Sequence, residues 1–225
     1  VIRINPMIDS GPYSTKGNKY GIPITYADRA VDLAMKSPYV DFYGFHFMGG
    51  YVRSPRVYKT AARTFVKLIK KYQDWGIQVK SLSLGGGFPA AVGDETAFPI
   101  EKMSDFPRYF EGLCRKYGIA QPRLIFEPGK SIVLNAGIGL TRVVSNKRLG
   151  LKKRMVIVDG STYNFVPDAL IQDDITYAVL PASKLKRRRS RTVTVAGNTC
   201  DAWDIIVQSV DMPPLEAGDI LAVMD

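Results

Sequence analysis

The stretch that decides the fold is Val79-Lys80-Ser81-Leu82-Ser83-Leu84-Gly85-Gly86-Gly87, in which a β-forming run passes directly into three glycines. The run predicts a strand, and the glycines predict a tight turn at its C-terminal end. Amphipathic helical spacing precedes this strand at 56–75, and a further helix is predicted after it at 102–117. A strand that alternates with helices in this way is typical of a parallel βαβ arrangement.

The same alternation extends over the first part of the chain. Four predicted strands end near residues 5, 47, 84 and 127, and a third helix is predicted at 26–35 with Ala30, Leu33 and Ala34 on its inward face. Candidate functional residues follow these strands, as they do at the C-terminal face of a (β/α)₈ barrel. We therefore predict an α/β protein in which residues 1–137 form part of a (β/α)₈ TIM-type barrel.

The character of the sequence changes after Gly137. Short β-branched runs are separated by turn residues, and no strong helical pattern appears. We predict that residues 138–225 form an all-β domain, truncated at its end. The predicted strands are 140–144, 155–158, 175–180, 192–195 and 220–223.

Composition limits the class of protein. Hydrophobic residues make up 46% of the chain, which excludes disorder as the default, and no apolar run approaches the roughly 18 residues of a membrane span. With Cys114 and Cys200 as the two cysteines, we expect a cytoplasmic protein without a disulfide framework. A single histidine, His46, excludes a multi-histidine metal site, so no metal is expected. Because the chain begins with Val1 rather than Met, we expect a fragment that lacks both termini.

The net charge of +10 is concentrated in Lys184-Leu185-Lys186-Arg187-Arg188-Arg189-Ser190-Arg191. Such runs are usually solvated, and no aromatic residues interleave this one, so a nucleic-acid partner is not expected. A rim that attracts a phosphate-bearing cofactor is the second interpretation.

Two turns carry the candidate cofactor chemistry. The N–H groups of Gly85, Gly86 and Gly87 could form a concave anion site, although a tight βα turn would use glycine equally well. In Glu127-Pro128-Gly129-Lys130, the carboxylate follows a strand, the glycine permits close approach, and Lys130 can pair with a phosphate. Each turn alone is also compatible with an ordinary loop.

Three further residues stand in settings that suit chemistry. His46 ends an aromatic strand, where it is either a packed core residue or a flat ring that stacks on a heteroaromatic ligand. Cys200 lies between turn residues and an acid, in a polar setting suited to a proton donor. Its neighbour Asp201 either meets a cationic substrate group or is simply solvated.

Taken together, these motifs resemble the fold type III decarboxylases that depend on pyridoxal phosphate (PLP), the group containing ornithine and diaminopimelate decarboxylases. The matching stretches occur in the family's order along nearly the whole chain. They are Arg3-Ile4-Asn5-Pro6, Lys19-Tyr20-Gly21-Ile22, Leu84-Gly85-Gly86-Gly87-Phe88-Pro89, Glu127-Pro128-Gly129-Lys130-Ser131-Ile132-Val133, Val158-Asp159-Gly160, Thr199-Cys200-Asp201 with Asp204, and Gly218-Asp219.

The resemblance implies a role for each candidate residue. His46 would stack on the cofactor ring, and Glu127 would hydrogen-bond the pyridine nitrogen. Cys200 would return a proton as general acid, while Asp159 and Asp201 would bind the substrate. The cofactor phosphate would be held by Gly85, Gly86, Gly87, Gly129 and Lys130. In this family the cysteine and the following acid reach into the partner subunit's site, so the resemblance implies a homodimer with shared active sites.

The sequence also departs from the family. The Schiff-base lysine of the family lies in a segment that this chain does not contain, so the chain alone is expected to be inactive. Lys130 replaces an arginine, and Gly49 replaces a serine that touches phosphate. Val166 stands where diaminopimelate decarboxylases carry an arginine, and Asp201 stands where they tend to carry Glu.

These departures leave three functions open. The first is PLP-dependent decarboxylation of an amino acid with a basic side chain, such as ornithine, lysine or arginine, because two acids suit a distal ammonium. The second is a diaminopimelate decarboxylase or a related PLP tailoring enzyme. The third is a catalytically inactive regulatory homologue.

Overall fold

The computed structural model describes residues 1–8, 17, 19–50, 52, 54–88, 100–133, 136–150, 153–170 and 177–224. The chain divides into two units, Val1–Leu134 and Asn135–Asp225. Most of the loop predicted at 10–18, Pro89 of the glycine motif, and the start of the strand predicted at 175–180 lie outside the described residues.

The first unit is built on parallel strands. They are β1 (Ile2–Asn5), β2 (Ile22–Pro23), β3 (Gly44–His46), β4 (Ser81–Ser83) and β5 (Arg123–Ile125). They form a five-stranded sheet in the order β2-β1-β3-β4-β5, with every neighbouring pair parallel. The predicted parallel α/β arrangement is confirmed. Strand β2 was missed, because two residues carry no periodicity.

The helices begin and end for local reasons. They are α1 (Ala27–Lys36), α2 (Pro55–Asp74), α3 (Phe106–Tyr117) and the short α4 (Lys130–Val133). Helix α2 begins where the hydroxyl of Ser54 accepts the Arg56 N–H at 3.2 Å and Pro55 takes the first helical position. Helix α3 ends at Gly118, whose φ of +61° is the left-handed conformation that favours glycine.

The core of the first unit is aromatic. The ring of Phe45 on β3 packs against Phe65 and Tyr72 of α2, with centroids 6.2 and 5.6 Å apart. The amphipathic helix predicted at 56–75 is confirmed as α2, and its residues Ala61, Phe65, Leu68 and Ile69, predicted to face inward, are buried. The face predicted for α1 is wrong at Leu33, which is exposed, whereas Ala30 and Ala34 are half-buried and the buried residues are Ala27 and Val31. The helix offers two apolar stripes, and only its packing in the folded unit selects between them.

The second unit is a β-sheet domain. Its strands are β6 (Gly139–Arg148), β7 (Arg154–Val158), β8 (Ala178–Leu180), β9 (Arg191–Ala196), β10 (Ile205–Met212) and β11 (Ile220–Met224). The six strands lie in the order β10-β9-β7-β6-β11-β8, and the edge strands β10 and β8 approach each other.

The sheet character of the second part of the chain is confirmed, but the sequence missed β10. Two register shifts in the pairing of β10 with β9 interrupt the alternation of its apolar side chains. Whether the parallel strands of the first unit belong to a (β/α)₈ barrel stays a prediction.

Candidate active site

The register of the parallel sheet brings candidate residues to one edge. His46 on β3 is paired with Ser83 on β4, and Ser83 is paired with Ile125 on β5. Glu127 follows the end of β5. Because parallel strands end at the same edge of a sheet, three polar side chains distant in sequence become neighbours.

These three side chains, which we call the sheet-edge cluster (His46, Ser83 and Glu127), are in direct contact. Oε1 of Glu127 accepts a hydrogen bond from the Ser83 hydroxyl at 2.6 Å and lies 3.2 Å from Nε2 of His46. The Glu127 side chain is 50% exposed. Within the described part of the chain, Oε2 has no hydrogen-bond partner. The carboxylate is thus fixed on one side and can accept an N–H donor on the other.

The three glycines have a packing reason that is independent of any ligand. A Cβ on Gly85 would lie 2.4 Å from the Phe47 carbonyl oxygen, and one on Gly86 would lie 2.3 Å from that of Glu127. A Cβ on Gly87 would lie 1.7 Å from the Gly50 carbonyl oxygen. The tight-turn interpretation is therefore sufficient to explain these glycines, and a role in phosphate binding stays a prediction.

Gly129 differs from that turn. Apart from its chain neighbours, no atom of the described residues lies within 4 Å of the position of its Cβ, and its φ is not in the left-handed region. Its carbonyl accepts the N–H groups of Ile132 and Val133 at 2.9 and 3.2 Å, which starts α4 at the half-buried Lys130. Since packing does not require a glycine here, the open space above Gly129 can admit the close approach of a ligand.

The remaining candidates lie in the second unit, and two of them, Cys200 and Asp201, belong to a turn at 197–204 that we call the Cys200 turn. Asp204 is its anchor: only 2% exposed, it accepts four hydrogen bonds. Oδ1 accepts from the N–H and hydroxyl of Thr162 at 2.8 and 2.9 Å, and Oδ2 accepts from those of Thr199 at 3.1 and 2.7 Å. The Asp204 carboxylate thus connects the loop that carries Thr162 to the Cys200 turn.

The anchor has an electrostatic consequence. Burial raises the pKa of Asp204, but the hydrogen bonds from Thr199 and Thr162 outweigh it, and the pKa is lowered overall. Gly197 is required for this arrangement, because a Cβ there would lie 2.3 Å from the Asp204 carboxylate oxygens. The turn therefore holds Cys200 at the surface, where its thiol is exposed.

A tyrosine that the sequence did not single out contacts this turn. The Tyr163 hydroxyl donates a short hydrogen bond to Oδ2 of Asp201, while the Trp203 N–H donates to Oδ1 at 2.9 Å. The pKa of Asp201 is lowered by the Trp203 N–H and by Tyr163, and the pKa of Tyr163 is raised by its bond to Asp201. Asp201 is thus an ionised, exposed carboxylate with fixed geometry.

Asp159 is held differently. Its Oδ1 accepts the Arg142 N–H and the Thr141 hydroxyl, both at 2.7 Å, and these bonds lower its pKa. Among the described residues, none of its hydrogen bonds leads to Asp201. One oxygen of Asp159 therefore stabilises the β6–β7 pairing, and substrate binding by this residue stays a prediction.

Two residues of these clusters carried little signal in the sequence. Ser83 could have been noticed as a polar residue in a buried strand, in register with His46. Tyr163 had no signal in the sequence, because its partner Asp201 is distant in the chain.

The basic run predicted at 184–191 lies at the surface. Lys184 pairs with Asp219 at 2.7 Å, whereas residues 185–191 are exposed.

Neither a metal-binding cluster nor a membrane-spanning helix occurs within the described ranges. No group of three or more His, Cys, Asp or Glu side chains there could hold a metal ion. No helix in that part of the chain combines the length and apolar content needed to cross a membrane.

Comparison with known proteins agrees with the motifs. The chain is 30% identical to a diaminopimelate decarboxylase of Staphylococcus aureus (strain COL) over 236 residues, which cover 100% of the chain and 54% of that protein. A diaminopimelate decarboxylase from Helicobacter pylori complexed with L-lysine superposes with a TM-score of 0.75 at 26% identity, covering 99% of this chain and 54% of that one. The Paramecium bursaria Chlorella virus arginine decarboxylase shares the fold alone, with a TM-score of 0.77 at 21% identity over 99% of this chain and 58% of that one.

The chain spans about half the length of the curated relatives it matches. The sequence model described as "Pyridoxal-dependent decarboxylase, C-terminal sheet domain" matches residues 13–225. The dependence of this family on pyridoxal confirms the predicted cofactor. By this match, the chain belongs to the family of pyridoxal-dependent decarboxylases.

Proposed function

We propose that the protein carrying this chain catalyses PLP-dependent decarboxylation of an amino acid whose side chain bears a distal ammonium group. The observation that carries the proposal is the sheet-edge cluster, in which Glu127 keeps one carboxylate oxygen available beside the imidazole of His46. Residues 1–137 are then part of a PLP-binding (β/α)₈ barrel, and residues 138–225 belong to a β domain.

The side chains at the edge of the sheet in the first unit fit the chemical groups of the cofactor. A carboxylate can accept the N–H of a protonated pyridine, an imidazole can stack on the ring, and the open space at Gly129 can admit a phosphate beside Lys130. PLP, when bound, supplies the electron sink that stabilises the carbanion left by loss of CO₂. Glu127 keeps the pyridine nitrogen protonated, and Ser83 and His46 orient its carboxylate.

The lysine at position 130 supplies a point charge where the family uses a bidentate arginine. The turn at Gly85, Gly86 and Gly87 adds backbone N–H groups, although those of Gly85 and Gly86 already donate to the Ser83 hydroxyl at 3.2 Å and to the Met48 sulfur at 3.3 Å. We therefore assign the larger part of phosphate binding to Gly129 and Lys130.

The second unit supplies the proton and the recognition of the substrate. Cys200 is exposed on an anchored turn and can return a proton to the substrate carbon as general acid. Asp201, ionised and exposed, binds the distal ammonium, with Asp159 as a second acid. In the homodimer we propose, this turn serves the partner subunit's site, and the protein is cytoplasmic.

Different observations favour two different substrates. The curated relatives are named diaminopimelate decarboxylases, which favours diaminopimelate. Val166 favours a purely basic side chain: it stands in the place of the distal-carboxylate arginine and is buried in the core of the second unit.

The deciding test is CO₂ release by the full-length protein with PLP and a panel of lysine, ornithine, arginine and diaminopimelate. Release from one or more of these substrates is expected. An absence of release, with PLP bound and the protein folded, would support the inactive regulatory homologue instead. Release from diaminopimelate alone would exclude the basic-side-chain assignment.

A further inference from the structure

Tyr163 lies at the surface of the second unit and does not belong to its hydrophobic core. Tyr163 is 51% exposed, and its side chain reaches across from the loop after β7 to the Cys200 turn. There it donates to Oδ2 of Asp201, whose Oδ1 is held by the Trp203 N–H. Asp201 is therefore an exposed carboxylate that keeps its charge, and hydrogen bonds to both of its oxygens fix its orientation.

We propose that Tyr163 is a substrate-specificity residue that, together with Asp201, receives the distal ammonium group of the amino-acid substrate. This inference rests on the decarboxylase function proposed above and extends it. It assigns the recognition of the ammonium to a pair of side chains in place of Asp201 alone.

The chemistry of the pair matches an ammonium group. A phenol has one O–H donor and two acceptor lone pairs, and Tyr163 uses its proton on Asp201. For a further partner, the Tyr163 hydroxyl oxygen and the Asp201 carboxylate therefore offer only acceptors. An ammonium group carries three donors and no acceptor, so it satisfies the pair, whereas a carboxylate would find no donor there.

The protonation states are kept by the pair itself. The hydrogen bonds from Trp203 and Tyr163 lower the pKa of Asp201, and Asp201 in turn raises the pKa of Tyr163. At neutral pH the arrangement is therefore a neutral phenol beside an anionic carboxylate. That combination attracts a cation throughout the neutral range, in which the substrate amine is charged.

The Asp204 anchor explains why the pair is preformed. Thr162, whose N–H and hydroxyl both donate to Asp204, immediately precedes Tyr163, and Thr199, which bonds the other carboxylate oxygen, lies shortly before Asp201. The buried carboxylate thus fixes both segments of chain that carry the pair. A preformed acceptor pair loses less conformational entropy when the substrate binds.

The test is the Tyr163→Phe variant of the full-length enzyme, assayed with substrates that differ only in the distal ammonium. Lysine is compared with norleucine, and diaminopimelate with 2-aminopimelate. We expect kcat/KM for the better ammonium-bearing substrate to fall about tenfold, mainly through KM, which corresponds to about 1.4 kcal/mol. Values for the matched analogue should not change.

Tyr26→Phe is the control, because Tyr26 is similarly exposed and lies in the first unit. The midpoint of urea unfolding should be the same for both variants and the wild type. An equal loss with both members of a substrate pair, or no loss with either, would overturn the assignment of Tyr163. If the wild type releases CO₂ from none of these compounds, the proposed function itself fails and the inference with it.

Discussion

Nε2 of His46 lies 3.2 Å from Oε1 of Glu127, although the two residues belong to different strand ends, those of β3 and β5. The contact exists because β3, β4 and β5 are parallel and in register, with Ser83 between the two residues. The Ser83 hydroxyl donates to the same oxygen, so the carboxylate is held from two neighbouring strands.

Replacing this carboxylate should impair catalysis more than folding. In Glu127→Gln, an amide replaces the charged acceptor for the pyridine N–H, and we expect kcat to fall about 100-fold while PLP still binds. The measurements are CO₂ release and the absorbance of bound cofactor. Glu111→Gln is the matched control, since both glutamate side chains are 50% exposed. Equal activity of the two variants would remove Glu127 from the mechanism.

The two thiols should react very differently. Cys200 is exposed, whereas Cys114 is 2% exposed on α3 and burial raises its pKa. We expect iodoacetamide to modify Cys200 alone in the folded protein and both thiols in urea, as measured by mass spectrometry of the peptides. Cys200→Ala should lower the rate of CO₂ release at least about 100-fold, and Cys114→Ala should not. Modification of Cys114 in the folded state would contradict the packing of α3.

The glycine turn should tolerate no side chain. Gly87 has a φ of +85°, and a Cβ there would lie 1.7 Å from the Gly50 carbonyl oxygen. Gly87→Ala should therefore lower the free energy of unfolding by about 3 kcal/mol or more. Gly112 lies inside α3, and outside the backbone of that helix no atom of the described residues lies within 4 Å of its Cβ position. Gly112→Ala should therefore raise the free energy of unfolding by about 0.5–1 kcal/mol. Urea unfolding of both variants tests this, and a neutral Gly87→Ala would disprove the close approach.

The Asp204 anchor predicts a pH-dependent contribution to stability. Its pKa is lowered in the folded state, so its contribution is complete above the unfolded value of about 3.9 and is lost as pH falls through the folded pKa. Asp204→Asn should lower the free energy of unfolding at pH 7 by about 2 kcal/mol, because one carboxylate oxygen becomes an NH₂ group and the donors of either Thr162 or Thr199 lose their acceptor.

The difference between wild type and Asp204→Asn should shrink as the pH falls below about 4, as followed by urea unfolding across that range. Asp211→Asn is the control: Asp211 is exposed and accepts from the Thr192 hydroxyl at the surface. A destabilisation by Asp204→Asn that stays constant with pH would mean that the charge of Asp204 does not matter to the anchor.

Much of the fold could be predicted because its signals are local. The apolar periodicity predicted the helix at 56–75, which is α2, and a helix at 102–117 whose end coincides with that of α3. Local signals did not predict the buried face of α1, because that helix has two apolar stripes. They also missed β10, because register shifts break the alternation of its apolar side chains. In both cases the selection is made by packing against other elements.

The candidate site, like the fold, was predicted from the sequence only in part. The order of the motifs identified the family and named His46, Glu127 and Cys200 without coordinates. The glycines at 85–87 were ambiguous, and the structure provides a packing reason for them through carbonyl oxygens of distant residues. Conversely, Gly129 has no such reason, which the sequence alone could not distinguish.

By itself, the sequence determined the alternation of strands and helices, the β-rich second part, the family and its cofactor, because these depend on local pattern and on motif order. Only the tertiary structure decided that Ser83 and His46 share the Glu127 carboxylate, that Asp204 anchors the Cys200 turn, and that Tyr163 meets Asp201. The physical reason is that hydrogen bonds between loops depend on strand register and on the path of the backbone. Neither is encoded by residue types at a fixed spacing.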